Sequence, residues 1–266
     1  MAGRTLSKWE RVYMDGYDLS GYGRSIGPLG IEYAVSDLTA PMSDTVKGYL
    51  LGQPAITVGT FNGVMQSTTD SGIEISAIQT AGVYRDIMVV FGDRAEPAAA
   101  AAGIGVPVFC AKSAHSGFKL ADDGGAITIT AEFADDDASD ITGHGIAWGK
   151  LIHAKGAETA VNDQKGINTG YSSTLGGVMA YQVFAGDWAG TLKIQSSVTD
   201  VDGDYVDIVG ATVTLANSDP CAGMITIPVT ETVKQYVRWQ LTTTGGTTIT
   251  FALAWLPQYL SGASYI

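Results

Sequence analysis

The chain has 266 residues with 45% hydrophobic content, 34 Gly and 8 Pro, so a sizeable core is available and turns are frequent. Asp+Glu number 27 against Lys+Arg 15, a formal charge of −12 that repels nucleic-acid phosphates and argues against a DNA-reading role. No run approaches the ~18 apolar residues of a membrane span, and Met1–Glu10 lacks an apolar signal core.

Short Val, Ile, Thr and Ala runs broken by Gly and Asp predict an all-β chain. Residues 8–19 read as an opening strand with a turn at Asp15-Gly16. Gly21, Gly23, Gly27 and Gly30 then punctuate a turn-rich stretch before an alternating strand from Ile31 to Val35. Ser43 and Asp44 are placed to cap a short helix through about Leu51, with Gly52 ending it and Pro54 forbidding its continuation. Strands follow at Ala55–Phe61, Gly72–Ile78 and Tyr84–Phe91. Pro97–Ala102, alanine-rich and stopped by Gly103 and Gly105, reads as a loop or arm. Val106–Ala111 and Ala126–Phe133 complete a first module.

An acidic segment, Glu132–Asp140, precedes a strand at Trp148–His153 and a polar, Gly-rich stretch from Lys155 to Gly177. The composition shift puts a domain boundary near 145, giving modules 1–145 and 146–266. The second has strands at Val178–Ala185, Gly190–Ser197, Tyr205–Val209, Ala211–Ala216 and Met224–Val229. It closes on a ribbon from Thr232 to Leu256. Val233, Gln235, Val237, Trp239 and Leu241 share one face of the first arm. Ile249, Phe251, Leu253 and Trp255 share a face of the second, with small residues between. Gly245-Gly246 supplies a tight connection, so the two arms read as a half-buried antiparallel hairpin. The fold expectation is two β-sandwich or barrel-like modules, the first with a flanking helix and the second jelly-roll-like. Cys110 and Cys221 lie beside apolar or small residues and read as buried or semi-buried free thiols.

No catalytic set stands out. There is no G-x-S-x-G, and Gly21, Gly23 and Gly27 miss both phosphate-loop spacings. Asp200, Asp202, Asp204 and Asp207 around Gly203 resemble part of a calcium loop, but strands flank them and a hairpin turn is the simpler reading. Glu132, Asp135, Asp136, Asp137 and Asp140 suit a metal site or a carboxylate pair less well than a solvated loop. His115, His144 and His153 lack the spacing that puts two ligands on one face. Tyr17, Tyr22, Tyr171, Trp188 and Tyr205, near turns, suit either sugar stacking or core and subunit contacts. No metal and no cofactor is expected.

Several stretches together resemble tail-tube proteins of tailed bacteriophages: Asp18–Gly21 with Ser25–Leu29, Ser43–Pro54 leading into Ile56–Phe61, Gly177–Phe184, Gly190–Gln195, Val233–Trp239 and Thr248–Ala254. The resemblance implies a β-sandwich subunit with a flanking helix, stacked in rings, with a second domain outside. It implies a virion protein made in the host cytoplasm, a homo-oligomer contacting other virion proteins, with no membrane partner. Segments 34–42 and 95–107 would join subunits by strand addition. A carboxylate-lined lumen would pass phage DNA without specific binding. A capsid decoration protein and a carbohydrate-binding virion module are the alternatives, and an enzyme is not expected.

Overall fold

The computed structural model describes residues 10–21, 23–37, 49–64, 82–92, 104–122, 124–134, 147–158, 166–170, 172–186, 189–215, 220–246 and 248–258. The first half holds β1 (Glu10–Met14), β2 (Tyr17–Asp18), β3 (Gly23–Asp37), β4 (Tyr49–Val64), β5 (Tyr84–Phe91), β6 (Pro107–Asp122) and β7 (Ile127–Ala134). The second holds β8 (Trp148–Glu158), β9 (Ile167–Asn168), β10 (Gly177–Gly186), β11 (Ala189–Ser197), β12 (Val206–Leu215), β13 (Cys221–Ile227), β14 (Tyr236–Gly245) and β15 (Ile249–Pro257). The chain is all-β, with one 3-10 turn at Asp202–Asp204 among the described residues. No described helix is long and apolar enough to cross a membrane.

The strands form two antiparallel sheets. The larger runs β13-β10-β15-β8-β6-β5-β1-β2, with β7 branching from β6 and carrying β4 and β3. The smaller runs β12-β11-β14-β9. The sheet passes from the first half to the second where β6 pairs β8, from Pro107↔Lys150 to Phe109↔Trp148.

Three apolar clusters separate the layers. β5 and the first part of β6 are buried on both faces, so Val89 and Phe109 enter one cluster while Met88 and Val108 enter the next. β15 does the same. Phe251, Leu253 and Trp255 face the small sheet, and Ala252, Ala254 and Leu256 face the cluster shared with β1, β5 and β6.

The expected C-terminal hairpin is corrected here. β14 pairs with β11 and β9, while β15 pairs with β10 and β8, so the arms belong to different sheets. The apolar faces read from the alternation are the right ones. They meet across the sandwich, with Trp239 edge-on to Phe251 at 5.4 Å and 83°. Alternation fixes which face a side chain takes, not which strand it pairs with.

The helix expected over 44–51 is corrected at its end, since Tyr49–Leu51 open β4; residues 43–48 lie outside the described residues. Of the Gly-punctuated stretch, Gly21 lies in a turn as expected, but Gly23 opens β3 and Gly27 and Gly30 are inside it; the two strands expected at 205–216 are one, β12, which bends at Gly210 with φ 85°. The strand at 72–78, the arm at 97–102 and the boundary position itself lie outside the described residues. Cys110 is buried and Cys221 half-buried, both free.

The turn Asp15-Gly16 closes the large sheet on itself. Both residues have positive φ, 50° and 81°. The Gly16 amide donates to Gln182 Oε1 at 2.7 Å, and Gln182 Nε2 donates to the Asp86 carbonyl at 2.9 Å. Asp15 accepts from Arg85 Nη1 at 2.6 Å and from the Asp86 amide at 2.9 Å. A Cβ on Gly16 would sit 2.3 Å from the Val183 carbonyl oxygen.

Two stability outcomes follow from the packing. Trp239→Ala is expected to cost about 3–5 kcal/mol in denaturant unfolding, because its ring is 3% exposed. Gly16→Ala, strained in φ and in collision with β10, is expected to cost more than about 1 kcal/mol by the same measurement. A loss within about 0.5 kcal/mol for either removes it from the closing core.

Candidate functional site

The Asp200–Asp207 stretch links β11 to β12, and its carboxylates turn to different donors. Asp200 Oδ1 accepts from the Tyr205 hydroxyl at 2.8 Å and the Gly166 amide at 3.1 Å. Asp202 Oδ1 accepts from Arg238 Nη1 at 3.0 Å, and Asp204 accepts from the Thr199 hydroxyl. Asp207 accepts from Lys193 Nζ and Gln195 Nε2, both at 2.7 Å, and the lysine bond holds its carboxyl below the usual range. This is a cross-linked turn whose carboxylates do not converge. Among the described residues, no three His, Cys, Asp or Glu side chains are grouped to hold a metal.

Tyr205 is 7% exposed and lies beneath the Arg238 guanidinium, 4.1 Å from ring centroid to Cζ. Its face is covered, so it offers no platform for a sugar ring. Tyr17 packs half-buried against the first core, while Tyr22, Tyr171 and Trp188 lie outside the described residues. Glu132 pairs with Lys119 across β6 and β7; Asp135, Asp136, Asp137 and Asp140 lie outside. His115 is buried beside Phe133, and His144 lies outside.

His153 sits between the sheets, stacked on Phe251 at 4.1 Å and edge-on to Trp239 at 4.8 Å. Its Nδ1 lies 3.1 Å from the Phe251 carbonyl and must donate to it, which leaves Nε2 facing Glu158 Oε1 at 3.0 Å. Burial lowers the His153 pKa and the Glu158 carboxylate opposes the shift. Sequence spacing carries no trace of this pair, since β8 bulges between them.

Asp86 is pushed up to about 6, mainly by burial, with Lys112 opposing and Asp15 adding to the shift. The sequence reading missed it inside an ordinary strand.

Among the described residues, two hairpins carry strand edges with few partners. β3 and β4 pair from Gly23↔Gly63 to Asp37↔Tyr49. β7 covers only Phe61–Val64 of β4, so the far half has no other strand partner among the described residues. Gly59 is required where the strands press together, since a Cβ there would meet the Gly27 carbonyl carbon at 2.0 Å. The β6–β7 hairpin ends in exposed Leu120 and Ile127. β4 and β7 are antiparallel, with Val64 opposite Thr128, so the base of one hairpin lies beside the tip of the other. The two tips therefore point in opposite directions.

Two measurements check the titratable groups. A carboxyl raised in the fold costs stability when it ionises, so stability falls as pH rises from about 4 through about 6. Asp86→Asn is expected to remove that slope and to gain up to about 3 kcal/mol at pH 8 in chemical unfolding; an unchanged slope assigns it to other groups. Millimolar calcium is expected to leave the melting temperature unchanged, and a rise of several degrees would mean that the Asp200–Asp207 turn rearranges to bind it.

No protein-family model and no curated protein matches the chain. It has a likeness to a chain of the anti-feeding prophage baseplate, 6-fold symmetrised, at 11% identity over 52% of this chain and 95% of that one, with a TM-score of 0.35. The Dit protein of phage SPP1, described as a hub adsorption apparatus paradigm in phages infecting Gram-positive hosts, aligns at 13% identity over 91% and 98%, with a TM-score of 0.29. A chain of the phage P2 baseplate in its activated conformation with calcium aligns at 7% identity over 92% and 97%, with a TM-score of 0.34. At these scores the alignments leave fold and function to be argued from the chain itself.

Proposed function

We propose that the chain is a structural protein of a tailed-phage particle, and within it a tail-tube subunit that stacks in rings around the DNA path. The observation that carries this is the pair of oppositely directed hairpins, one 15 and 16 residues long in its strands. Such arms expose backbone donors and acceptors that a neighbouring copy can pair. The stretches that resemble tail-tube proteins include the base of that hairpin, Ser25–Leu29 and Ile56–Phe61. A formal charge of −12 suits a wall past which DNA slides. The other particle proteins are its partners, and the virion is its location.

Electron microscopy of the particle, with the chain labelled, tests the assignment: label along the tail supports it, label on the head assigns a decoration role, and absence from the particle removes both. A variant in which an Asn-Gly turn joins Ile31 to Ile56, which face each other in the register, is expected to keep its cooperative unfolding and to stay monomeric. Rings or tubes from that variant would show that the hairpin is not the assembly arm.

A further inference from the structure

Five valines of the second half stay out of its core. Val198 and Val201 sit in the turn from β11 to β12, Val206 and Val209 on β12, and Val229 just after β13; each is about half to two-thirds exposed. The fold gathers them. Val206 lies opposite Ser196 at the mouth of the first turn. Beyond Asp207 the β11–β12 register shifts, and β12 comes against the turn after β13. There the Val209 amide lies 3.4 Å from Glu231 Oε1, and a Cβ on Gly210 would lie 3.3 Å from Pro228 Cδ. Exposed carboxylates of Asp200, Asp202, Asp204 and Asp207 are interleaved with these valines. Where a carboxylate has a cation, the cation is the covered member of the pair. The Arg238 side chain is 6% exposed against 71% for Asp202, and Lys193 21% against 57% for Asp207. What faces outward is therefore apolar and negative, and a carboxylate can accept more than one donor.

We infer that this surface of valines and carboxylates docks a different protein, whose contact carries apolar side chains flanked by Lys or Arg. Apolar side chains rimmed by polar ones mark protein–protein contacts, and opposite charge at the rim selects the partner. A second copy brings a net charge of −12 to an acidic surface and is disfavoured. Nucleic acid and anionic lipid are repelled by the same carboxylates. A sugar ring needs an open aromatic face, and Tyr205 of this turn is covered by Arg238. The surface is also fixed in advance. The Asp204 amide donates to the Val201 carbonyl at 3.0 Å, the Thr199 amide to Ser197 Oγ at 3.1 Å, and the Glu231 amide to the Pro228 carbonyl at 2.9 Å. β-Branching already restricts valine at χ1, so little ordering cost remains on docking. The inference goes beyond the tube reading and does not depend on it.

Photo-crosslinking of the full chain in the cells that produce it tests this. Benzoylphenylalanine is placed at 201, 209 or 229, and at 120 on the β6–β7 tip as a control, each variant first checked for wild-type melting. Positions 201, 209 and 229 are expected to link to one segment of one other protein, with Lys or Arg beside an apolar residue, and position 120 is not. Val201→Lys is expected to cut the yield from position 209 at least fivefold, and Val201→Glu less than twofold, because only lysine opposes a basic partner. No link from the three positions, a link to a second copy, to lipid, to nucleic acid or to an acidic segment, or the same link from position 120 overturns the inference. So does an equal loss for lysine and glutamate, or a larger loss for glutamate. A labelled tail with no such link removes this surface alone; a linked basic protein, with the chain absent from the particle, removes the tube reading alone.

Discussion

The second half of the structure hangs on β15, a strand with no solvent face. From Phe251 to Pro257 every residue is buried. Phe251, Leu253 and Trp255 hold the small sheet, while Ala252, Ala254 and Leu256 back onto the cluster built by β1, β5 and β6. The strand is thus the wall between two cores. The short link after Gly245 lets one continuous chain stitch the two sheets together, with Trp239 on one side of the gap and Phe251 on the other. Large side chains on one face and alanines on the other set the two layer distances. The alanine face allows close approach of the shared cluster, and the aromatic face fills the wider gap.

That duality explains which parts of the fold were legible in the sequence. β5 and Ala126–Phe133 read off closely, because a strand bounded by polar or glycine residues announces both its length and its type. The buried faces of β14 and β15 were legible for the same reason. Their partners were not, since Gly245-Gly246 is as consistent with a hairpin as with a crossing between sheets. Alanine was ambiguous too: a small residue between large apolar ones reads as a solvent face, yet Ala252 and Ala254 are fully enclosed. Glycine misled in the other direction. Gly27 and Gly30 read as turns, but they sit inside β3, and Gly59 is there because its backbone presses on the Gly27-Pro28 peptide.

The candidate site shows a similar division. The Asp200–Asp207 run displays carboxylates at alternate positions, which is visible in the sequence. What each carboxylate faces is decided by Arg238, Lys193, Tyr205 and Thr199, residues from other strands or from the turn itself. Arg238 stood on the polar side of the alternation, and only the fold reveals that it is buried. Its charge is paired with Asp202, its Nε donates to Gln195 Oε1, and its plane covers the aromatic ring that looked available to a sugar. His153 and Glu158 are brought together by a strand bulge, a feature without a spacing rule.

Charge and open edges together constrain how copies of this chain can meet. At −12, two copies repel wherever acidic surface faces acidic surface, and the repulsion is strong within a Debye length of about 8 Å. Exposed large apolar side chains are divided between the tip of the β6–β7 hairpin, with Leu120 and Ile127, and the start of β12, with Val206 and Val209, so neither pair alone supplies a large driving force. Backbone pairing does not depend on either term, since it needs only a matching open edge. Edges also invite indiscriminate association, and β3 carries two restraints on it: Pro28, which has no amide to donate, and Glu32, which puts charge on the arm. Pairing is therefore favoured where an opposite charge receives that arm. Repulsion over the rest of the surface then selects the contact rather than merely weakening it.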